Sequence, residues 1–147
     1  MIRPVSPRSV PPFGALLLSL FSLIAMLGAA PAVYGATDVK GTWSGTFYSN
    51  HADVIPFTVT VVISADSSGH IVGNSDLASP CLKGAHLQVT VTGSTVVLAG
   101  SDPKGNNMTV RGSLDSTGTV LNSNYILNGS AGGGCETDDG TGTLAKR

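Results

Sequence analysis

Alternation of apolar and polar residues with a period of two recurs in segments along residues 41–147, and it limits the fold more than any other feature. In residues 57–64, Phe57, Val59, Val61 and Ile63 fall on one face and two threonines fall on the other. This spacing is typical of strands with one buried face, and the abundance of Gly, Ser, Thr and Val also favours strands over helices. Eight segments are predicted as strands: GTWSGTF (41–47), FTVTVVIS (57–64), HIVGNS (70–75), HLQVTV (86–91), TVVLAG (95–100), MTVRGSL (108–114), VLNSNYIL (120–127) and GTGTLAKR (140–147).

The links between these segments differ in length. ADSSG (65–69) and LDSTG (114–118) place aspartate and glycine at the first and fourth positions of a type I turn, and TGS (92–94) is a third tight link. In an up-and-down meander these three links share one end of the fold. The longer links share the other end: SNHADVI (49–55), DLASPCLKG (76–84), SDPKGNN (101–107) and NGSAGGGCETDDG (128–140).

Both cysteines, Cys81 and Cys135, fall in the longer links, so the meander brings them to the same end. The N-terminal segment, described below, predicts an exported chain. A disulfide is the default interpretation for such a pair in an exported chain, with free thiols or half of a metal site as the alternatives. The pair requires Cα atoms within about 7 Å, so one or both links must fold across the end of the sheet. The glycines at 132–134 would permit this path.

Eight antiparallel strands close most simply into an all-β, up-and-down barrel, which leaves no exposed strand edge. A two-sheet β-sandwich has the same alternation and is the alternative.

The N-terminal segment has the pattern of a secretory signal peptide. Arg3 and Arg8 precede an apolar run over residues 14–30, and small residues follow it. The run is shorter than the roughly 20 residues of a spanning helix, although an uncleaved anchor is the alternative. We therefore predict a signal peptide over residues 1–36, cleaved between 32 and 36, a single domain over 37–147, and a secreted or periplasmic location.

Charge and motifs argue against several function classes. The net charge is −1 and the basic residues form no stripe, so neither nucleic acid nor an anionic membrane is an expected partner. The predicted inward faces carry no paired carboxylates, and the chain has no nucleophile elbow, phosphate-binding glycine loop or spaced metal-ligand motif. The expectation is a protein that is not an enzyme and has no cofactor.

Trp43 is the only tryptophan, and it follows Gly41 and Thr42 on the first predicted strand. It shares a face with Phe47, which predicts an inward position. This Gly-x-Trp opening resembles that of the calycins, the barrel superfamily of lipocalins and avidins. The resemblance implies that Trp43 packs at the closed end of the barrel under a basic residue, which Lys146 or Arg147 would supply. Avidins line their ligand site with several tryptophans, so no binding residue is carried over.

The seventh predicted strand has a polar centre, NSNY (122–125). The expected inward set is Leu121, Tyr125 and Leu127, which leaves both asparagines outside. Tyr125 is then the polar group of a mostly apolar interior. With Trp43 and Phe57 it is a candidate ligand-binding residue, although a structural hydrogen bond is the favoured explanation of its hydroxyl.

The end with the longer links also carries side chains that could bind a cation. An ordinary acidic surface turn explains the same residues, so no metal is expected. The candidates are His51, Asp53, His86, Glu136, Asp138 and Asp139.

Two functions remain open from the sequence. One is a binding module that holds a small, largely apolar ligand inside the barrel. The other is a protein-binding or structural barrel, inhibitor-like, with a filled core and loops that contact a partner.

Overall fold

The computed structural model describes residues 37–77 and 81–147, so the predicted signal peptide lies outside the described residues. The eight predicted strands are all present, each within a few residues of its expected bounds. They are β1 (Gly41–Ser49), β2 (Phe57–Ala65), β3 (Ile71–Leu77), β4 (Ala85–Thr92), β5 (Thr95–Ser101), β6 (Asn107–Leu114), β7 (Val120–Asn128) and β8 (Asp138–Lys146).

Each strand pairs with its neighbours in sequence, and β1 also pairs antiparallel with β8. The closing register aligns Trp43 with Lys146 and Phe47 with Gly142. The all-β barrel is therefore confirmed, and the sandwich is excluded because the sheet closes on itself. The described residues contain no helix that is long and apolar enough to cross a membrane.

Burial follows the alternation. In β6 and β7 every second residue is buried, and in β7 these include Leu121, Tyr125 and Leu127, as predicted. Asn122 and Asn124 are exposed. The inward side chains form one continuous apolar core that extends from Trp43 to Leu127.

Glycines on β8 make room for aromatic rings in this core. A Cβ atom on Gly142 would overlap ring atoms of Phe47, and one on Gly140 would clash with both the Tyr48 carbonyl oxygen and the Tyr125 ring. Gly140 and Gly142, two inward positions of β8, therefore make room for rings from β7 and β1.

The aspartate turns form as predicted, and a third copy was missed. The carboxylate of Asp66 accepts backbone N–H groups of the following residues, the carboxylate of Asp115 does the same, and the fourth residues, Gly69 and Gly118, have positive φ. Asp102 makes the same turn, since its carboxylate accepts the N–H groups of residues 104 and 106. The prediction of a longer link over 101–107 was therefore wrong, because the aspartate folds it into a tight turn.

The Cys81–Cys135 disulfide is present, with its Cα atoms 4.9 Å apart. Gly132 and Gly134 both have positive φ, which is the conformational freedom expected of this glycine run. The bond fastens the β7–β8 link to the β3–β4 link across the end of the barrel.

Candidate functional site

Trp43 packs in the core towards the end of the barrel that carries the tight turns. Its side chain is 2% exposed, and its indole N–H donates to the Val39 carbonyl oxygen at 2.8 Å. The Lys146 ammonium lies 5.9 Å from the centre of the tryptophan ring and donates to the Asp38 carbonyl oxygen. The structure thus places Trp43 in the core, with Lys146 as its basic neighbour. Trp43 does not line the cleft described next.

A cleft of about 640 Å³ lies at the other end, where the longer links meet. Its walls come from the link between β1 and β2, the ends of β2, β3 and β7, and the approach to β8. The disulfide borders it through Cys81. The described lining residues are His51, Asp53, Val54, Ile55, Pro56, Phe57, Thr58, Leu77, Cys81, Leu127, Glu136, Thr137 and Asp138.

The cleft has an apolar floor above an aromatic cluster. Phe57 lies half-buried in the lining, with its ring centre 5.5 Å from that of Tyr125 in an edge-to-face arrangement. Phe47, below, stacks on Tyr125 at 5.0 Å. Such pairs stabilise a core beyond the area that they bury. The cluster fills the interior directly beneath the cleft, so the open volume lies in the mouth of the barrel.

Asp138 brings a carboxylate to the edge of this floor. It is 6% exposed, and its two oxygens accept hydrogen bonds from Ser49 and Tyr125, the latter at 2.6 Å. The Ser49 oxygen in turn accepts the backbone N–H of His51. Burial, together with the hydrogen bond to Asp138 and its charge, raises the pKa of the Tyr125 phenol far above its usual value. Tyr125 therefore keeps its proton and holds the carboxylate in place.

The cation-site candidates do not converge. Asp138 is inward and Asp139 outward, because β8 begins two residues earlier than the sequence indicated. The His51 ring contacts Asp139 at 3.2 Å, whereas His86 is exposed on β4. Asp53 and Glu136 lie in the cleft lining. Within residues 37–77 and 81–147, no group of three or more histidine, cysteine, aspartate or glutamate side chains could hold a metal ion.

A buried amide supports the link that carries Cys135. Asn106 is fully buried, and its side-chain nitrogen donates to the Asp102 carboxylate and to the Gly133 carbonyl oxygen, both at 2.9 Å. Its side-chain oxygen accepts the backbone N–H of Ser130. Burial alone would raise the pKa of Asp102, but the hydrogen bonds from Asn106 and neighbouring backbone groups outweigh it and lower the pKa. The amide thus ties the β5–β6 turn to the β7–β8 link beside the cleft.

Of the predicted ligand-binding residues, Phe57 lines the cleft and Tyr125 lies beneath it as the donor to Asp138. Sequence reasoning missed Ser49 and the inward position of Asp138. The available signal was the alternation of Asp138, Gly140, Gly142 and Leu144, which continues the inward face of β8 back to the aspartate.

No protein-family model matches the sequence, and no curated protein matches it significantly.

Proposed function

We propose that this protein is an exported, non-catalytic binding module that holds a small, largely apolar ligand in the cleft at the mouth of the barrel. The observation that carries the proposal is the cleft itself. Its volume of about 640 Å³ lies within the range of roughly 300–1,000 Å³ that is usual for small-molecule sites, and its floor is apolar.

The packing of the core argues for binding in the mouth and not deep in the barrel. Phe47, Phe57 and Tyr125 occupy the interior directly below the cleft. Leu82, at 0% exposure, adds a side chain from the disulfide-bonded link to the same core. A ligand of the cleft's size would contact Phe57, Leu77 and Leu127 without displacing these groups.

The packing of Trp43 supports a calycin-like assignment. A tryptophan near the start of β1, packed beside a basic residue from β8, is the arrangement that the resemblance implies, and Trp43 and Lys146 have it. The disulfide indicates an oxidising, exported environment. Together with the apolar N-terminal run, it supports a secreted or periplasmic location after cleavage of a signal peptide.

The chemistry of the cleft favours binding over catalysis. His51 is the only histidine in the described lining. Its ring contacts Asp139 and not the hydroxyl of Ser49, so it is not placed to activate that hydroxyl as a nucleophile. Tyr125 would be a poor general acid because the pKa of its phenol is raised. No cofactor is invoked.

A neutral fluorescent dye, Nile red, tests the proposal with a matched pair of variants. Val54 and Ile55 line the cleft and are 38% and 82% exposed, so replacing both with serine should weaken dye binding without unfolding the barrel. Each buried methylene contributes about 0.8 kcal/mol, so we expect a loss of affinity of roughly tenfold. Val62, 46% exposed on the outer face of β2, is the control, and Val62→Ser should leave binding unchanged. Absence of saturable binding, or an equal effect of Val62→Ser, would refute the cleft as the site.

A protein partner bound through the loops is the second candidate, and the exposure of Ile55 favours it. Native mass spectrometry of protein from its own producer distinguishes the two. A small adduct that disappears on denaturation supports the binding module, whereas a stoichiometric polypeptide adduct supports the partner.

A further inference from the structure

The ionised acidic side chains of the described cleft lining outnumber the basic ones, and the nearest ammonium, that of Lys83, donates to the carbonyl oxygen of Leu77 at the border of the lining. Asp53, Glu136 and Asp138 contribute carboxylates to the described lining, and that lining includes neither lysine nor arginine. His51, the remaining titratable group there, has its ring 3.2 Å from the outward carboxylate of Asp139. The apolar residues of the lining therefore lie beside three carboxylates, and the net negative charge of the lining favours a cation.

Asp138 is the group that a ligand would meet at the edge of the apolar floor. It is 6% exposed, and within the described chain its charge has no lysine, arginine or histidine partner at salt-bridge distance. A buried charge without a counter-charge is costly, and two hydroxyl donors offset only part of this cost. A carboxylate has about four lone-pair sites, so the bonds from Ser49 and Tyr125 leave acceptor capacity for a further donor.

We propose that the ligand is a small amphiphile with a protonated amine, whose apolar body lies on Phe57, Leu77 and Leu127 and whose ammonium group binds Asp138. This inference rests on the proposed function and adds the chemical class of the ligand. The ammonium would supply the missing counter-charge and a charge-assisted hydrogen bond.

The same geometry disfavours anionic amphiphiles. A fatty-acid carboxylate in this position would lie among Asp53, Glu136 and Asp138 with no basic group of the described lining to neutralise it. Neutral alcohols would gain the apolar contact alone.

Three probes of equal chain length test the inference: octylammonium, 1-octanol and octanoate. Their binding to the purified, disulfide-bonded protein is measured by isothermal titration calorimetry at pH 7 and about 0.15 M salt, where charges are screened beyond about 8 Å. We expect octylammonium to bind roughly tenfold or more tightly than octanol, as a charge-assisted hydrogen bond would provide, and octanoate to bind most weakly.

Two variants locate the effect. Asp138→Asn removes the buried charge and should abolish the preference for octylammonium over octanol. Asp139→Asn makes the same change at the next, outward position of β8 and should preserve it. Folding of each variant is checked by the fluorescence of Trp43. If Asp138→Asn does not fold, Asp53→Asn and Glu136→Gln, which both lie in links, should each reduce the preference, while Asp139→Asn still should not.

Each outcome is informative. Equal affinity for octylammonium and octanol, or tighter binding of octanoate, would overturn the amine assignment and leave the proposed apolar cleft standing. Failure of all three probes to bind would overturn both. A preference that persists in Asp138→Asn would show that this carboxylate does not recognise the amine.

Discussion

Replacement of Gly142 by alanine tests the packing beneath the cleft. The new Cβ atom would overlap three atoms of the Phe47 ring. That ring is 0% exposed, and it is confined by Tyr125 at 5.0 Å and Phe57 at 6.0 Å between ring centres. The ring therefore cannot move without displacing both neighbours.

The magnitude follows from two opposing effects. The φ angle of Gly142 is not positive, so the backbone accepts alanine, and reduced freedom of the unfolded chain should stabilise the variant by about 0.4–1 kcal/mol. Overpacking of a confined ring costs about 1–3 kcal/mol or more. We expect Gly142→Ala to lower the free energy of unfolding by about 2 kcal/mol, of a total that is typically about 5–15 kcal/mol.

Urea unfolding followed by fluorescence measures this change, because Trp43 is the single tryptophan and is buried. Thr141→Ala, at an exposed position of the same strand, is the control and should stay within about 0.5 kcal/mol of the wild type. Phe47→Ala should cost about 3–5 kcal/mol alone. Combined with Gly142→Ala it should cost less than the sum, since the methyl enters vacated space. An additive cycle, or a Gly142→Ala variant as stable as the wild type, would refute the argument.

Three further predictions concern the groups around the cleft. Reduction of Cys81–Cys135 should lower the free energy of unfolding by about 4 kcal/mol, seen as a lower urea midpoint in the presence of reductant. Asn106→Ala leaves a buried carbonyl, a partly buried N–H and a carboxylate oxygen without this partner, and should cost about 2–4 kcal/mol in the same assay. Because the native state holds the Tyr125 proton more tightly than the unfolded chain does, the contribution of Tyr125 to stability should be constant below about pH 10 and should fall as the pH rises above it. Tyr125→Phe should remove this alkaline decline, and an unchanged pH profile in that variant would contradict the assignment.

The fold could be predicted because almost every strand buries one face. In β6 burial alternates without exception, and in β7 the same rule correctly placed Tyr125 inside and its two neighbouring asparagines outside. The turns at Asp66 and Asp115 predicted that β2 pairs with β3 and that β6 pairs with β7 as hairpins. The meander predicted from the sequence places Cys81 and Cys135 at the same end of the fold, and the structure joins them in a disulfide.

The site was harder to predict, for physical reasons that particular residues show. Asp138 is a carboxylate at an inward position, so a pattern of hydrophobic residues cannot identify it, and its burial depends on hydroxyls from β1 and β7. Gly140 and Gly142 at the next inward positions have no apolar side chain, so the alternation that would mark the start of β8 is missing there. The cleft depends on how residues 51–56 and the disulfide-bonded links fold over the mouth, and these segments have no periodicity.

The aromatic cluster connects the stability of the barrel to the chemistry of its mouth. Tyr125 packs on Phe47 below, and through its hydroxyl it holds Asp138 at the edge of the cleft above. A group that binds only the native state stabilises it by mass action. An ammonium bound to Asp138 should therefore raise the melting temperature of the whole barrel, and it should do so less in Tyr125→Phe, where the carboxylate loses one of its two positioning donors. The Tyr125 hydroxyl is thus the contact that joins the aromatic core to the carboxylate at the edge of the cleft.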